Sequence, residues 1–124
     1  MSDITYTINA QVNKGVFSQQ YIAAGKTTDM TSVGILAVTV EPGTATQAVS
    51  TASATTLGYC FARNLAEDTS GTAVVTFGRI AGTVFTDTVR LKPGDAAWFR
   101  LAPGDYAAKG VAGNPPLLLE ILED

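Results

Sequence analysis

Apolar and polar residues alternate strictly from Ile4 to Val12. Ile4, Tyr6, Ile8, Ala10 and Val12 fall on one side of an extended chain, and Thr5, Thr7, Asn9 and Gln11 on the other. A period of two predicts a half-buried strand. Asn13-Lys14-Gly15 turns the chain, and Val16 to Ala23 returns. Gly34 to Val40 (GILAVTV) is apolar on both faces, which predicts a strand in the middle of a sheet, ended by the turn residues Glu41-Pro42-Gly43. Residues 43–57, GTATQAVSTASATTL, are small and polar; an extended arm or loop is expected there, lying over a neighbouring element. Tyr59–Asn64, Ala73–Ile80, Thr83–Leu91, Ala96–Leu101, Tyr106–Val111 and Leu117–Leu122 read as further strands. Ala81-Gly82 is the tight turn of a hairpin. Asn64 to Gly71 reads as a polar loop, and Asn114-Pro115-Pro116 breaks the chain. No window sustains apolar residues at helical spacing. The expected fold is all-β, a β-sandwich or jelly-roll-like barrel of about eight to ten short antiparallel strands. At 124 residues the chain is expected to be a single domain spanning 1–124.

One stretch is nearly repeated. Leu91-Lys92-Pro93-Gly94-Asp95 is followed by Leu101-Ala102-Pro103-Gly104-Asp105, with Ala-Ala-Trp-Phe-Arg between them. Proline presets the first central position of a turn, glycine supplies the positive φ of the second, and aspartate bonds the local backbone. Chain reversal therefore accounts for all the chemistry of Pro93, Gly94, Asp95, Pro103, Gly104 and Asp105, with both glycines expected at positive φ. The two loops are expected at one end of the sandwich. Trp98 and Phe99, adjacent in the intervening strand, must point to opposite faces, one into the core and one to the outer face or a partner.

The residues that do chemistry are scarce. The chain has no His and a single Cys, so His-dependent triads, dyads and zinc sites are excluded. The acids Asp68, Asp87, Asp95, Asp105 and Glu120 are spread out, without the spacing of a calcium loop. No phosphate-binding glycine loop occurs. No cofactor, no metal and no enzymatic activity are expected, and chelation is expected to change nothing. Net charge is −3, with only 15% charged residues and basic residues scattered singly, which argues against nucleic acid as a partner. MSDITYTINA lacks the basic and apolar regions of a signal peptide, and no apolar run approaches a membrane span. Cys60 sits in an apolar run, so a buried, inert thiol is expected.

The C-terminal half carries a cadence: Arg63-Asn64-Leu65 after an aromatic strand, a Gly-containing hairpin, Leu91-Lys92-Pro93-Gly94-Asp95, Phe99-Arg100-Leu101-Ala102, and a terminal apolar strand closed by Leu122-Glu123-Asp124. Over residues 58–124 this resembles small virion structural proteins of tailed phages and prophages, of the capsid-decoration or cement kind. The resemblance implies a non-catalytic protein of the virion, made in the host cytoplasm, that decorates or cements the capsid. Its implied partners are the major capsid protein or another virion protein. A tail, neck or fibre-base component is the alternative within that class. A small-molecule or carbohydrate-binding module is the alternative outside it, and would need Tyr21, Tyr59, Tyr106 and Trp98 to converge on one cleft.

The last strand bears on partners as well. Leu117, Leu119 and Ile121 make one apolar face, and Leu118 and Leu122 flank Glu120 on the other. Such a strand is either central in its sheet or covered by another subunit. Trp98, Leu118 and Leu122 are the candidate interface residues. Because open sheet edges need cover, a homo-oligomer is expected, with a trimer favoured.

Overall fold

The alternating first segment forms a hairpin, β1 (Ile4–Lys14) with β2 (Phe17–Thr28), that pairs with no other strand among the described residues. Gly15, at φ 57°, makes its tip. Its register puts Ile4, Tyr6, Ile8, Ala10 and Val12 on one face with Phe17, Tyr21 and Ala23, and with Lys14, Gln19, Lys26 and Thr28. The predicted alternation is therefore present, but the burial it implied is not: from Thr7 onward β1 is exposed on both faces. The chain falls into two compact units, 1–31 and 32–124. Length alone suggested one domain; among the described residues β1 and β2 pair only with each other. This computed structural model describes residues 3–30, 34–50, 56–67, 72–111 and 115–123.

The described residues of 32–124 hold eight strands: β3 (Ile35–Val40), β4 (Gln47–Val49), β5 (Leu57–Asn64), β6 (Val75–Ala81), β7 (Val84–Leu91), β8 (Ala96–Arg100), β9 (Tyr106–Gly110) and β10 (Leu117–Glu123). They form two antiparallel sheets, β3-β10-β5-β8 and β4-β9-β6-β7. The pairs β3·β10, β4·β9, β5·β8 and β6·β7 are nested, first strand with last, second with second-last. That is one long antiparallel ribbon bent back at the β6–β7 hairpin and rolled, with β10·β5 and β9·β6 sealing the roll. The result is a jelly-roll β-sandwich, not a closed barrel. The predicted hairpin turn is present, with Gly82 at φ 62°.

A single core fills the space between the sheets. Cys60, Ala62, Leu117, Leu119 and Ile121 come from one sheet, and Val75, Phe77, Leu91, Tyr106 and Ala108 from the other. The Phe77 ring stacks on Tyr106, with centroids 5.5 Å apart, and lies 6.1 Å from Phe99. Phe99 is thus the inward member of the Trp98–Phe99 pair.

Two local expectations change. β3, apolar on both faces, lies at the edge of its sheet and not in the middle, and Ile35 is 61% exposed. The central place belongs to β10, whose Leu117, Leu119 and Ile121 are fully buried. An apolar run shows that both faces avoid water, but not which neighbour covers each edge. The segment expected as an arm contributes β4, which pairs with β9 through Gln47–Val49; residues 51–55 lie outside the described residues, as does the 68–71 part of the polar loop.

Candidate functional site: an apolar outer sheet face

The doubled turn is architectural, and in a different way from a hairpin. Leu91–Asp95 joins β7 to β8, which belong to different sheets, and Leu101–Asp105 joins β8 back to β9 across the sandwich. Each is an arch between layers. Because the single strand β8 separates them, they sit at opposite ends of the sandwich and not at one end.

In the first arch the Asp95 N–H donates to the Lys92 carbonyl (2.9 Å), closing a β-turn, and the Lys92 N–H donates to the Asp95 carboxylate (3.0 Å). Gly94 is at φ 84°, as a type II turn requires. The Gly94 N–H also donates to the Asn64 carbonyl, and the Asn64 N–H to the Asp95 carbonyl. The second arch is held by the Tyr106 hydroxyl, which donates to the Ala102 carbonyl, and by the Ile80 N–H, which donates to the Asp105 carbonyl. Gly104 has φ 150°, and a methyl group there would meet the Arg79 guanidinium. The Asp105 carboxylate makes no bond of the Asp95 kind among the described residues. Gly94→Ala is expected to cost about 1 kcal/mol through strain alone, since nothing crowds that position. Asp95→Asn keeps an acceptor for Lys92 and is expected to cost less; chemical denaturation of both variants checks the order.

In the sequence Asn64 stands only as part of the Arg-Asn-Leu cadence, yet it anchors the first arch. It is fully buried at the end of β5. Its side-chain amide donates to the Ala73 carbonyl (2.8 Å) and the Leu91 carbonyl (3.0 Å), and its side-chain oxygen accepts from the Ala66 N–H (3.0 Å). One side chain thus ties the end of β5 to the entry of β6 and the exit of β7. A buried asparagine in a polar-looking loop has no periodic signal, so pattern reading passes over it.

The expected interface residues do come together. On the outer face of the β3-β10-β5-β8 sheet, the register lines up three rows. Ala96, Arg63, Leu118 and Thr39 make the first; Trp98, Phe61, Glu120 and Ala37 the second. Arg100 stands opposite Tyr59 in the third, and Leu122 opposite Ile35. Trp98, Leu118 and Leu122 therefore share one surface with Tyr59 and Phe61, all half-buried. Tyr59 and Trp98 stack at 4.9 Å, 10° from parallel, and the Arg100 guanidinium lies 4.4 Å from the Tyr59 ring centre. Charge is confined to Arg63, Arg100 and Glu120.

Within residues 32–124 the aromatics a ligand-binding module would need do not converge: Tyr106 is in the core, and Tyr59 and Trp98 stack on each other on the outer face. Tyr21 is on the hairpin. Shallow grooves open elsewhere. One of about 410 Å³ is lined by Thr76, Phe85, Asp87, Arg90 and Lys109, and another of about 470 Å³ by Ala48, Ile80, Asp105 and Tyr106. Among the described residues no three Cys, Asp or Glu side chains gather where they could hold a metal ion; Asp68 lies outside the described residues.

Cys60 is fully enclosed, and burial pushes its thiol up from 9.0 to about 12. Burial also pushes the Tyr106 phenol up, against the pull of the Arg79 charge. Between 9.0 and about 12 the folded thiol keeps a proton that the unfolded thiol has lost. Stability therefore falls as pH rises through that window, and below it the thiol's contribution is constant. Two outcomes follow. A thiol reagent at neutral pH is expected to label Cys60 only on global unfolding. Denaturation midpoints are expected to drop as pH rises above 9.0, with Cys60→Ala showing a shallower drop.

Comparison with protein-family models, with curated proteins and with solved structures finds no match.

Proposed function

We propose that this protein is a structural virion component of a tailed bacteriophage, one that decorates or cements the capsid shell through non-catalytic contacts made by several copies. The observation that carries the reading is the outer face of the β3-β10-β5-β8 sheet. It presents Tyr59, Phe61, Trp98, Leu118 and Leu122 on one surface with three charged side chains. Apolar surface rich in aromatics, with Arg among it, is the composition of protein–protein contact regions. A jelly roll hosts many functions, so the reading rests on this surface and on the cadence of residues 58–124. The absence of His from the chain and the role of the Pro-Gly-Asp arches as sheet crossings agree with a protein that does no chemistry.

The test is sedimentation of purified protein with phage particles assembled without it. Saturable binding is expected. Trp98→Ala is expected to weaken it at least tenfold, because a truncated aromatic anchor in a contact surface costs on the order of 2 kcal/mol. Asp95→Asn, on an arch, is expected to leave it unchanged. Binding that survives Trp98→Ala but fails with Asp95→Asn and Asp105→Asn would move the docking surface to the arches. A hit in a glycan or metabolite screen, with no particle binding, would replace the reading with that of a ligand-binding module.

A further inference from the structure

We infer that the β1–β2 hairpin is the self-association element, and that hairpins from three copies of this chain close into a six-stranded antiparallel barrel with their apolar faces inward. The inference rests on the oligomeric reading above and names the surface that makes the oligomer.

Three features of the hairpin need cover at once. The first is its more apolar face, Ile4, Tyr6, Ile8, Ala10, Val12, Phe17, Tyr21 and Ala23, with Gln19 among them and Lys14, Lys26 and Thr28 toward its two ends; Phe17 is 54% and Tyr21 57% exposed. The others are its two free edges, since among the described residues β1 and β2 pair only with each other. A lone two-stranded hairpin is marginal in water. Long open edges are normally guarded by proline, lysine or a short strand. Here the strands run eleven and twelve residues without proline, only Lys14 and Lys26, one near the tip and one near the base, are charged, and a single bulge between Tyr6 and Ile8 near the base leaves the stretch from Ile8 to the tip regular.

Stacking two hairpins face to face would cover the apolar faces and leave the edges. Pairing two edges would leave the faces. A ring covers all three. When hairpins stand side by side in one orientation, the free edge of β2 meets the free edge of the next β1 running the opposite way, so every new ladder is antiparallel. Closing the ring then turns the apolar face into a barrel interior.

The charges suit this arrangement. Residues 1–31 carry Asp3, Lys14, Lys26 and Asp29, which sum to zero. By register Lys14 and Lys26 stand on the inward face, at the tip and near the base, where their long side chains reach water at the two mouths of the barrel. Inside, large and small residues sit in register, Tyr21 opposite Ala10 and Ile8 opposite Ala23, which is how side chains fill a narrow barrel. The segment from Ile4 to Thr28 is also of the size, roughly 20–30 residues, that a stable interface takes from each partner.

The experiment is mass photometry and sedimentation velocity on the full chain at micromolar concentration, with Cys60 labelling as the check that the sandwich is intact. Wild type is expected at three times 12.9 kDa. Ile8→Glu and Tyr21→Glu, on the apolar face, are expected to be monomeric with Cys60 still protected. Gln11→Glu, on the opposite face, is expected to stay trimeric. A wild-type oligomer indifferent to both apolar-face charges would overturn the hairpin barrel while leaving the oligomeric reading in place. A wild-type monomer would overturn both. Loss of Cys60 protection in Ile8→Glu and Tyr21→Glu would show that the hairpin covers its own sandwich, and would overturn the barrel too.

Discussion

Replacing Asn64 with Asp is expected to be among the most damaging single-atom changes in the protein. The side chains have the same shape, so packing is conserved. But the Asn64 amide donates to the Ala73 and Leu91 carbonyls, and a carboxylate would present oxygen to both, with its charge fully buried. An unpaired buried polar group costs about 1–3 kcal/mol, and an unpaired charge more. Asn64→Asp is therefore expected to lose at least ~4 kcal/mol at neutral pH, a large share of a typical domain's stability of about 5–15 kcal/mol. Asn64→Ala, which leaves the two carbonyls and the Ala66 N–H without their partner, is expected to lose about 3 kcal/mol. In a unit of this size that lowers the melting temperature by roughly 10–20 °C. Thermal and urea melts of the two variants check both size and order. If Asp and Ala are equally mild, Asn64 is not the anchor of the first arch.

The second large effect is expected at Phe77. Its side chain is 1% exposed and touches both sheets' aromatics, stacking on Tyr106 and tilting against Phe99. Phe77→Ala removes the ring and leaves a cavity that a two-layer sandwich cannot close, at about 3–5 kcal/mol. Phe77→Leu keeps most of the volume and is expected to cost less than half of that. Because the Tyr106 hydroxyl also holds the Ala102 carbonyl of the second arch, Phe77→Ala is expected to loosen that arch. Hydrogen exchange at the Ile80 amide, which donates to the Asp105 carbonyl, should rise ahead of exchange at the Gly94 amide, held by Asn64. Equal rises at the two would mean that the arches are not separately anchored.

Strand periodicity carried most of the fold. Every strand predicted from alternation or apolar runs is present, because a residue's side of a strand is a local property. What lay beyond reach was long-range. Nothing local marks β3 as an edge and β10 as the centre, since both are apolar on two faces. The Pro-Gly-Asp stretches read correctly as turns with Gly94 and Gly104 at positive φ, but a turn's residues do not say whether the next strand returns to the same sheet or crosses to the other. That single ambiguity hid both the jelly-roll order and the placement of the arches at opposite ends. The β1 alternation was legible and its burial was not, because the pattern shows that a face is apolar without showing what lies against it.

The outer-face residues were partly legible for the same reason. Trp98, Leu118 and Leu122 each stood out as an apolar residue on the wrong side of a strand. Tyr59 and Phe61 did not, since their run is apolar throughout and only register puts them beside Trp98. Asn64 and Arg79 work through contacts with chain far away in sequence, to Leu91 and over Gly104 respectively, and no composition or spacing marks them.

Membership of the virion is measured most directly by the copy number of this protein, relative to the major shell protein, in purified and salt-washed phage particles, by quantitative mass spectrometry. A structural decoration held by apolar contacts should be present at one fixed ratio across preparations, resist the salt wash, and come off as trimers when the particles are gently dissociated. Absence from washed particles, or a trace amount that varies between preparations, would contradict a structural role in the virion.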